Sequence, residues 1–267
     1  MFPGNEKNAT LLLLVAGLLV SVFIADYYTR LGLAEWIFYV VPVGICIFSG
    51  RPALPLYVAA IASVLVFVGF VISPFGVNPQ LSAINRAIGI VTIWIVTIIV
   101  RQVVQTRTEV RRHAWINAGH GEVSRRALGD LPPEQVGSAQ LAALAQYLHA
   151  EIGALYRIEG DDVLRIASYG LDGEAPEKFR VGQGLVGRVA LDATPMALRE
   201  VPAGYLKVRS ALGAAEPRFL LLSPLTADGM PSGVIELGFM HKAADMAPSL
   251  ELLERIAESM GIALRSS

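Results

Sequence analysis

The chain has 267 residues, of which 54% are hydrophobic and 17% charged, with a formal net charge of -1 and a mean hydropathy of +0.52. That hydropathy is too high for an all-soluble enzyme of this length, and the near-neutral charge lacks the concentrated basic surface that a nucleic-acid partner requires. The charges are unevenly spread: residues 1–100 carry only seven (Glu6, Lys7, Asp26, Arg30, Glu35, Arg51 and Arg86), which implies two parts adapted to different solvents.

Four apolar stretches approach the ~20 residues of helix that cross a hydrocarbon core: Ala9 to Tyr27, Leu33 to Ser49, Ala53 to Ser73, and Ala83 to Val104. The first lacks a small-residue cleavage site and is followed by further apolar segments, so it is expected to stay as a spanning helix. Short links rich in Gly and Pro favour an antiparallel bundle. Residues 1–104 thus read as a membrane all-α bundle of four transmembrane helices, with both ends on one side. Arg101, Arg107, Arg111 and Arg112 follow the last span and mark that side as cytoplasmic.

Three residues in this half are candidates for sensing a stimulus. Asp26 and Glu35 stand near the outer ends of the first two spans. They read either as interfacial groups that snorkel to water or as functional charges. Pro42, followed by Gly44, removes a backbone donor inside the second span and suggests a kink. No span carries a central charge pair of the kind that marks an ion path, so transport is not expected. Cys46, the sole cysteine, reads as a small apolar residue in a helix interface.

Residues 105–120 are polar and helix-compatible, and a continuous connector is expected there to carry motion from the fourth span. The glycines flanking His120, Gly119 and Gly121, argue against a rigid helix at that point. His113 and His120 read as solvent-exposed.

Residues 121–267 alternate helix and strand patterns. Pro133 to Ala150 has helical apolar spacing behind a Pro-Pro-Glu start. Ala154 to Ile158 and Val163 to Ser168 flank Glu159-Gly160-Asp161-Asp162, a hairpin signal. A Gly-rich turn and short helix cover Val181 to Ala190, and an extended piece runs from Pro195 to Arg199. Two apolar strands (Arg218 to Leu225, Gly233 to Met240) and a last amphipathic helix from Pro248 to Leu264 complete an α+β domain with an antiparallel sheet. Gly182-Gln183-Gly184-Leu185-Val186-Gly187 matches Gly-x-Gly-x-x-Gly, but a charged stretch precedes it in place of a buried parallel strand, so no dinucleotide site is expected.

Three runs, F-R-V-G-Q-G-L-V-G-R-V-A at Phe179 to Ala190, P-R-F-L-L-L-S-P-L at Pro217 to Leu225 and G-V-I-E-L-G at Gly233 to Gly238, resemble a GAF domain of the type found in bacterial hybrid sensor histidine kinases. The membrane half, with F-Y-V-V-P-V-G at Phe38 to Gly44 and N-R-A-I-G-I at Asn85 to Ile90, is similar to the multi-span sensor modules that precede such domains. The resemblance implies a pocket between sheet and small helix, lined by Phe179, Leu185, Val186, Tyr205, Leu206, Ser210, Leu222 and Glu236. It implies the input region of a histidine kinase-type receptor in the bacterial inner membrane, a parallel homodimer with the GAF-like domain in the cytoplasm. It further implies that output would come from a kinase domain or response regulator outside this chain. It names no cofactor and no metal. Two alternatives differ in class. An ethylene-type copper receptor requires a His one turn from a Cys, yet residue 50 is Gly. A pocket enzyme of the free methionine sulfoxide reductase type requires cysteines that the second half lacks.

Overall fold

The computed structural model describes residues 5–28, 35–72, 79–127, 133–171, 175–202, 205, 208–210, 213–240 and 246–266. The chain divides into two compact units, Met1–Arg111 and Arg112–Ser267.

The first unit is helical: α1 (Asn5–Tyr28), α2 (Val40–Ile45), α3 (Leu54–Ile72) and the start of α4 (Pro79–Ala127). Val15, Leu19, Tyr39, Val43, Cys46, Val58, Ala59, Ala62, Val66, Ile93, Val100 and Val104 form its core. Large side chains such as Leu13, Tyr57, Phe67 and Ile98 remain exposed, an apolar exterior that suits hydrocarbon rather than water.

Among the described residues three helices, not four, are long and apolar enough to cross a membrane: Ala9–Tyr28, Leu54–Ile72 and Gln80–Arg126. The expected second span is broken into a 3-10 turn (Glu35–Tyr39), the single turn and a half of α2, and another 3-10 turn (Cys46–Phe48). Pro42 sits in the middle, without an N–H to bond back to residue 38, and the apolar stretch Trp36–Phe48 falls short of a crossing. The argument that placed both ends of the bundle on one side relied on a fourth crossing and falls with it. Cys46 is buried and donates its thiol to the Pro42 carbonyl at 3.2 Å.

α4 continues without interruption through Gly119 and Gly121 to Ala127, contrary to the break expected at those glycines. The cause is packing. Gly119 lies against the side chains of Tyr147 and Leu252, and the Tyr147 hydroxyl donates to the Trp115 carbonyl at 2.7 Å. Ile116 and Val123 are fully buried in the core of the second unit, which therefore begins before the expected Gly121.

In that unit, α5 (Pro133–Leu148) leads into a six-stranded antiparallel sheet of β1 (Ile152–Glu159), β2 (Asp162–Tyr169), β3 (Lys178–Arg180), β4 (Met196–Leu198), β7 (Phe219–Ala227) and β8 (Met230–Phe239), in the order β3-β2-β1-β8-β7-β4. A separate ribbon pairs β5 (Val208–Ser210) with β6 (Gly213–Ala215). Strand alternation assigns the two faces. Leu155, Leu221, Ile235 and Leu237 pack with α5 and with α7 (Met246–Ser266), while Ile152, Ala154, Tyr156, Leu220, Leu222 and Val234 pack with α6 (Gly184–Asp192).

Candidate functional site

The α6 face holds most of the expected lining residues. Phe179, Leu185, Val186, Tyr205 and Leu222 belong to one apolar cluster. Glu236 joins them because β8 pairs Glu236 with both Leu222 of β7 and Ala154 of β1. Leu206 and the side chain of Ser210 lie outside the described residues.

The turn before α6 is built from glycine. Gly182 and Gly184 have φ of +85° and +66°, a region that side chains disfavour. Gly187 approaches the Arg180 carbonyl so closely that any Cβ would overlap it. The close approach is to the end of β3. Two backbone bonds lock the turn, Gly182 N–H to Gly187 O at 2.7 Å and Gly187 N–H to Gln183 O at 3.1 Å.

Glu236 is 2% exposed. The Tyr156 hydroxyl donates to its Oε2 at 3.2 Å, reaching diagonally across the β1–β8 pairing, where Tyr156 stands opposite Val234. Tyr205 faces the same carboxyl without reaching hydrogen-bond geometry, and Tyr205 Oη and Glu236 Oε1 have no hydrogen-bond partner among the described residues. Burial pushes the Glu236 carboxyl up to about 7, against the two phenols, which favour its charged form. Burial, then the neighbouring Glu236 charge, raises both phenols far above the ordinary tyrosine range.

Tyr156 was not anticipated from the sequence; strand alternation from Ala154 was the available signal, but the β1–β8 register was needed to bring it to Glu236. The Phe179 ring meets Tyr156 edge to face, with centroids 5.7 Å apart. Arg165 pairs with Glu177 at 3.4 Å and leaves Nη1 buried without a partner among the described residues. The space beside the carboxyl, lined by Ile152, Gly153, Ala154, Leu171 and Gly238, is too narrow for a water molecule as folded.

The helical unit holds a second polar centre. Asp26 is 1% exposed and does not snorkel to an interface as one of its two readings required. Both Arg86 terminal nitrogens hold it, at 2.9 and 2.7 Å, and Arg86 Nη1 also donates to the Val66 carbonyl at 3.0 Å. A buried charge pair near the helix ends therefore joins α1, α3 and α4. Tyr39 is fully buried, its hydroxyl within electrostatic reach of both charges and without a hydrogen-bond partner among the described residues. Trp36 donates to Asn85 Oδ1 at 3.1 Å and lies over Gly89. Pro42 is buried in α2. Glu35 starts the first 3-10 turn, and its side chain lies outside the described residues.

The GAF domain family profile matches residues 130–265. The chain belongs to the GAF domain family. Among solved structures, this GAF chain is similar to the GAF domain of a phosphoenolpyruvate-protein phosphotransferase from Coxiella burnetii, at 17% identity and a TM-score of 0.49 over 57% of this chain and 93% of that one. It is similar to the nlh2 GAF domain of A. aeolicus in an inactive state (20%, 0.46, 59% and 98%). A third is the free methionine-R-sulfoxide reductase of Neisseria meningitidis in complex with its substrate (18%, 0.44, 58% and 90%). No curated protein matches the chain. GAF domains are sensory and signalling domains, and the second unit is one of them.

Proposed function

We propose that the chain is the membrane-bound input region of a histidine kinase-type receptor, in which the helical unit, the GAF pocket or both read the stimulus. The observation that carries this reading is α4. One uninterrupted helix supplies Ile93, Val100 and Val104 to the core of the apolar unit and Ile116 and Val123 to the core of the GAF unit. A rotation or piston movement of such a helix is the path by which a stimulus would reach the GAF fold. The cluster Arg101, Arg107, Arg111 and Arg112 favours a cytoplasmic GAF domain. The exposed stretch of α4 around Val110 suits pairing with a second copy in parallel.

The test joins residues 1–267 to a dimeric histidine kinase core and inserts one to four alanines between Gln105 and Val110. Each insertion rotates the downstream helix by about 100°. Kinase output that rises and falls with the insertion phase supports the reading; output indifferent to every insertion overturns it.

A further inference from the structure

The α6 side of the GAF sheet contains an acid that no cation neutralises among the described residues. Glu236 is buried, one of its oxygens has no hydrogen-bond partner among the described residues, and no cationic side chain is among the groups that act on it. What faces it is aromatic or apolar: Tyr156 from β1, Tyr205, Leu222 from β7, and the α6 residues Leu185 and Val186. Phe179 stands against Tyr156. Arg165 on β2 acts on Tyr156 and is paired with Glu177. A buried carboxyl among three aromatic rings is suited to a positive guest, because the faces of aromatic rings attract cations and a desolvated carboxylate is costly until it is paired.

We propose that the space between Glu236, Tyr156, Tyr205 and Phe179 is the binding site for a small organic cation of the primary or methylated ammonium class, its charge neutralised by the Glu236 carboxylate and its carbon substituents enclosed by the rings. This rests on reading the GAF unit as a sensory domain and names the class of ligand that it senses. The gap on the other side of Glu236, lined by Ile152, Gly153, Ala154, Leu171 and Gly238, admits no water molecule, so the cation approaches the carboxyl from the Tyr205 side, where the Tyr205 hydroxyl has no hydrogen-bond partner among the described residues. Below the carboxyl's titration point the empty site holds the neutral acid; binding of the cation then ionises it, and close to one proton passes to the solvent for each cation bound, whereas above that point the acid is already ionised and little proton is released.

The test is calorimetric titration of the full chain in detergent micelles with n-butylammonium, neutral 1-pentanol and anionic pentanoate, against protein-free micelles. With the carboxyl titrating at about 7, its ionised share rises from about a tenth at pH 6 to about nine-tenths at pH 8, so n-butylammonium should bind about tenfold more tightly at pH 8. At pH 6 the heat should vary with the buffer's ionisation enthalpy, as release of close to one proton requires, and at pH 8 this dependence should nearly vanish. Glu236→Gln should abolish cation binding. Should that variant fail to fold, Tyr205→Phe should bind within a few-fold of the parent and Tyr205→Ala at least about tenfold more weakly. Cation binding that is indifferent to pH, or unchanged in Glu236→Gln or Tyr205→Ala, overturns the proposal. Binding of pentanol or pentanoate alone overturns the cation class and leaves the pocket as a sensory site; binding of none of the three overturns both.

Discussion

Arg86 holds Asp26 by two parallel bonds, Nη1 to Oδ2 and Nη2 to Oδ1, across 60 residues of sequence. Both side chains are withdrawn from the surface, 11% and 2% exposed. Removing one partner from a buried pair strands a charge, at a cost of about 3–5 kcal/mol, whereas replacing both with apolar residues of similar size costs far less. Arg86→Met and Asp26→Leu should each lower the thermal midpoint in detergent markedly, and the double variant should recover most of the loss. Gly69→Ala should mimic the Asp26 variant, because its Cβ would overlap the Asp26 carboxylate. Additive losses in the double variant would show that the two residues do not act as a pair.

That pair marks where sequence reasoning stopped. Hydropathy finds apolar helices by local content, but nothing local links Asp26 to Arg86, so the sequence alone does not bring the two together. The second span failed similarly: Leu33 to Ser49 is apolar enough, yet Pro42 and the 3-10 turns on either side prevent a single helix. The GAF unit was more legible, because its signals are short-range. The Gly160-Asp161 turn, with Gly160 at φ +61°, fixes the β1–β2 hairpin, and 3.6-residue spacing places α5 and α7. The three-residue strands β3, β5 and β6 show no periodicity to read. The lining residues on β7 and β8, Leu222 and Glu236, are implied by the family resemblance, whereas Tyr156 required the β1–β8 register.

The end of α4 sets the smallest stable GAF fragment. A chain starting at Gly121 loses the buried Ile116, the Trp115–Tyr147 contact and the Arg112–Glu251 ion pair. Loss of a buried isoleucine alone costs about 2–5 kcal/mol. Residues 112–267 should therefore unfold in urea at least about 2 kcal/mol later than residues 121–267. Equal stability would place Ile116 outside the cooperative core.

Gly119 and Gly121 should respond in opposite ways to alanine. Both lie in α4, where alanine is favoured over glycine by about 1 kcal/mol. Gly121 has nothing within 4 Å of a new Cβ, whereas Gly119 has the Tyr147 ring and Leu252 within 3 Å. Gly121→Ala should raise the melting temperature of residues 112–267 and Gly119→Ala should lower it. The same sign for both would remove the packing explanation for the unbroken helix.

Glu236 gives the GAF unit a pH signature. Its carboxyl titrates at about 7 in the fold against 4.5 when unperturbed, so between those values the folded state holds a proton that the unfolded state has released. Stability is then full below about pH 4.5, falls as pH rises toward 7, and levels off above, by about 3 kcal/mol in all. Glu236→Gln should flatten this slope and leave the fragment more stable than the parent at pH 8. Urea titrations from pH 5 to 8 measure both, and a parent slope that rises over that range would contradict a buried neutral acid.

Gly187 tests whether the turn before α6 is as tight as its bonds imply. Its φ is not in the left-handed region, so the constraint there is space alone: a Cβ would overlap the Arg180 carbonyl and crowd the Gly182 nitrogen, 3.1 Å away. Gly187→Ala should already cost about 1–3 kcal/mol by overpacking, and Gly187→Val more, since the branched side chain must also displace the turn that holds Phe179 and Arg180. Gly184→Ala, at φ +66° with only Phe179 nearby, should cost about 1 kcal/mol from backbone strain. Because α6 covers the Glu236 face, the Gly187 variants should also admit solvent to it. Glu236 should then titrate closer to the ordinary carboxyl range, and the fall in stability with pH should shrink in Gly187→Val but persist in Gly184→Ala. Membrane insertion should be unchanged in both, as it depends on the apolar helices of the first unit. A Gly187→Val protein with parental stability and an unaltered pH slope would mean that α6 does not seal the acid.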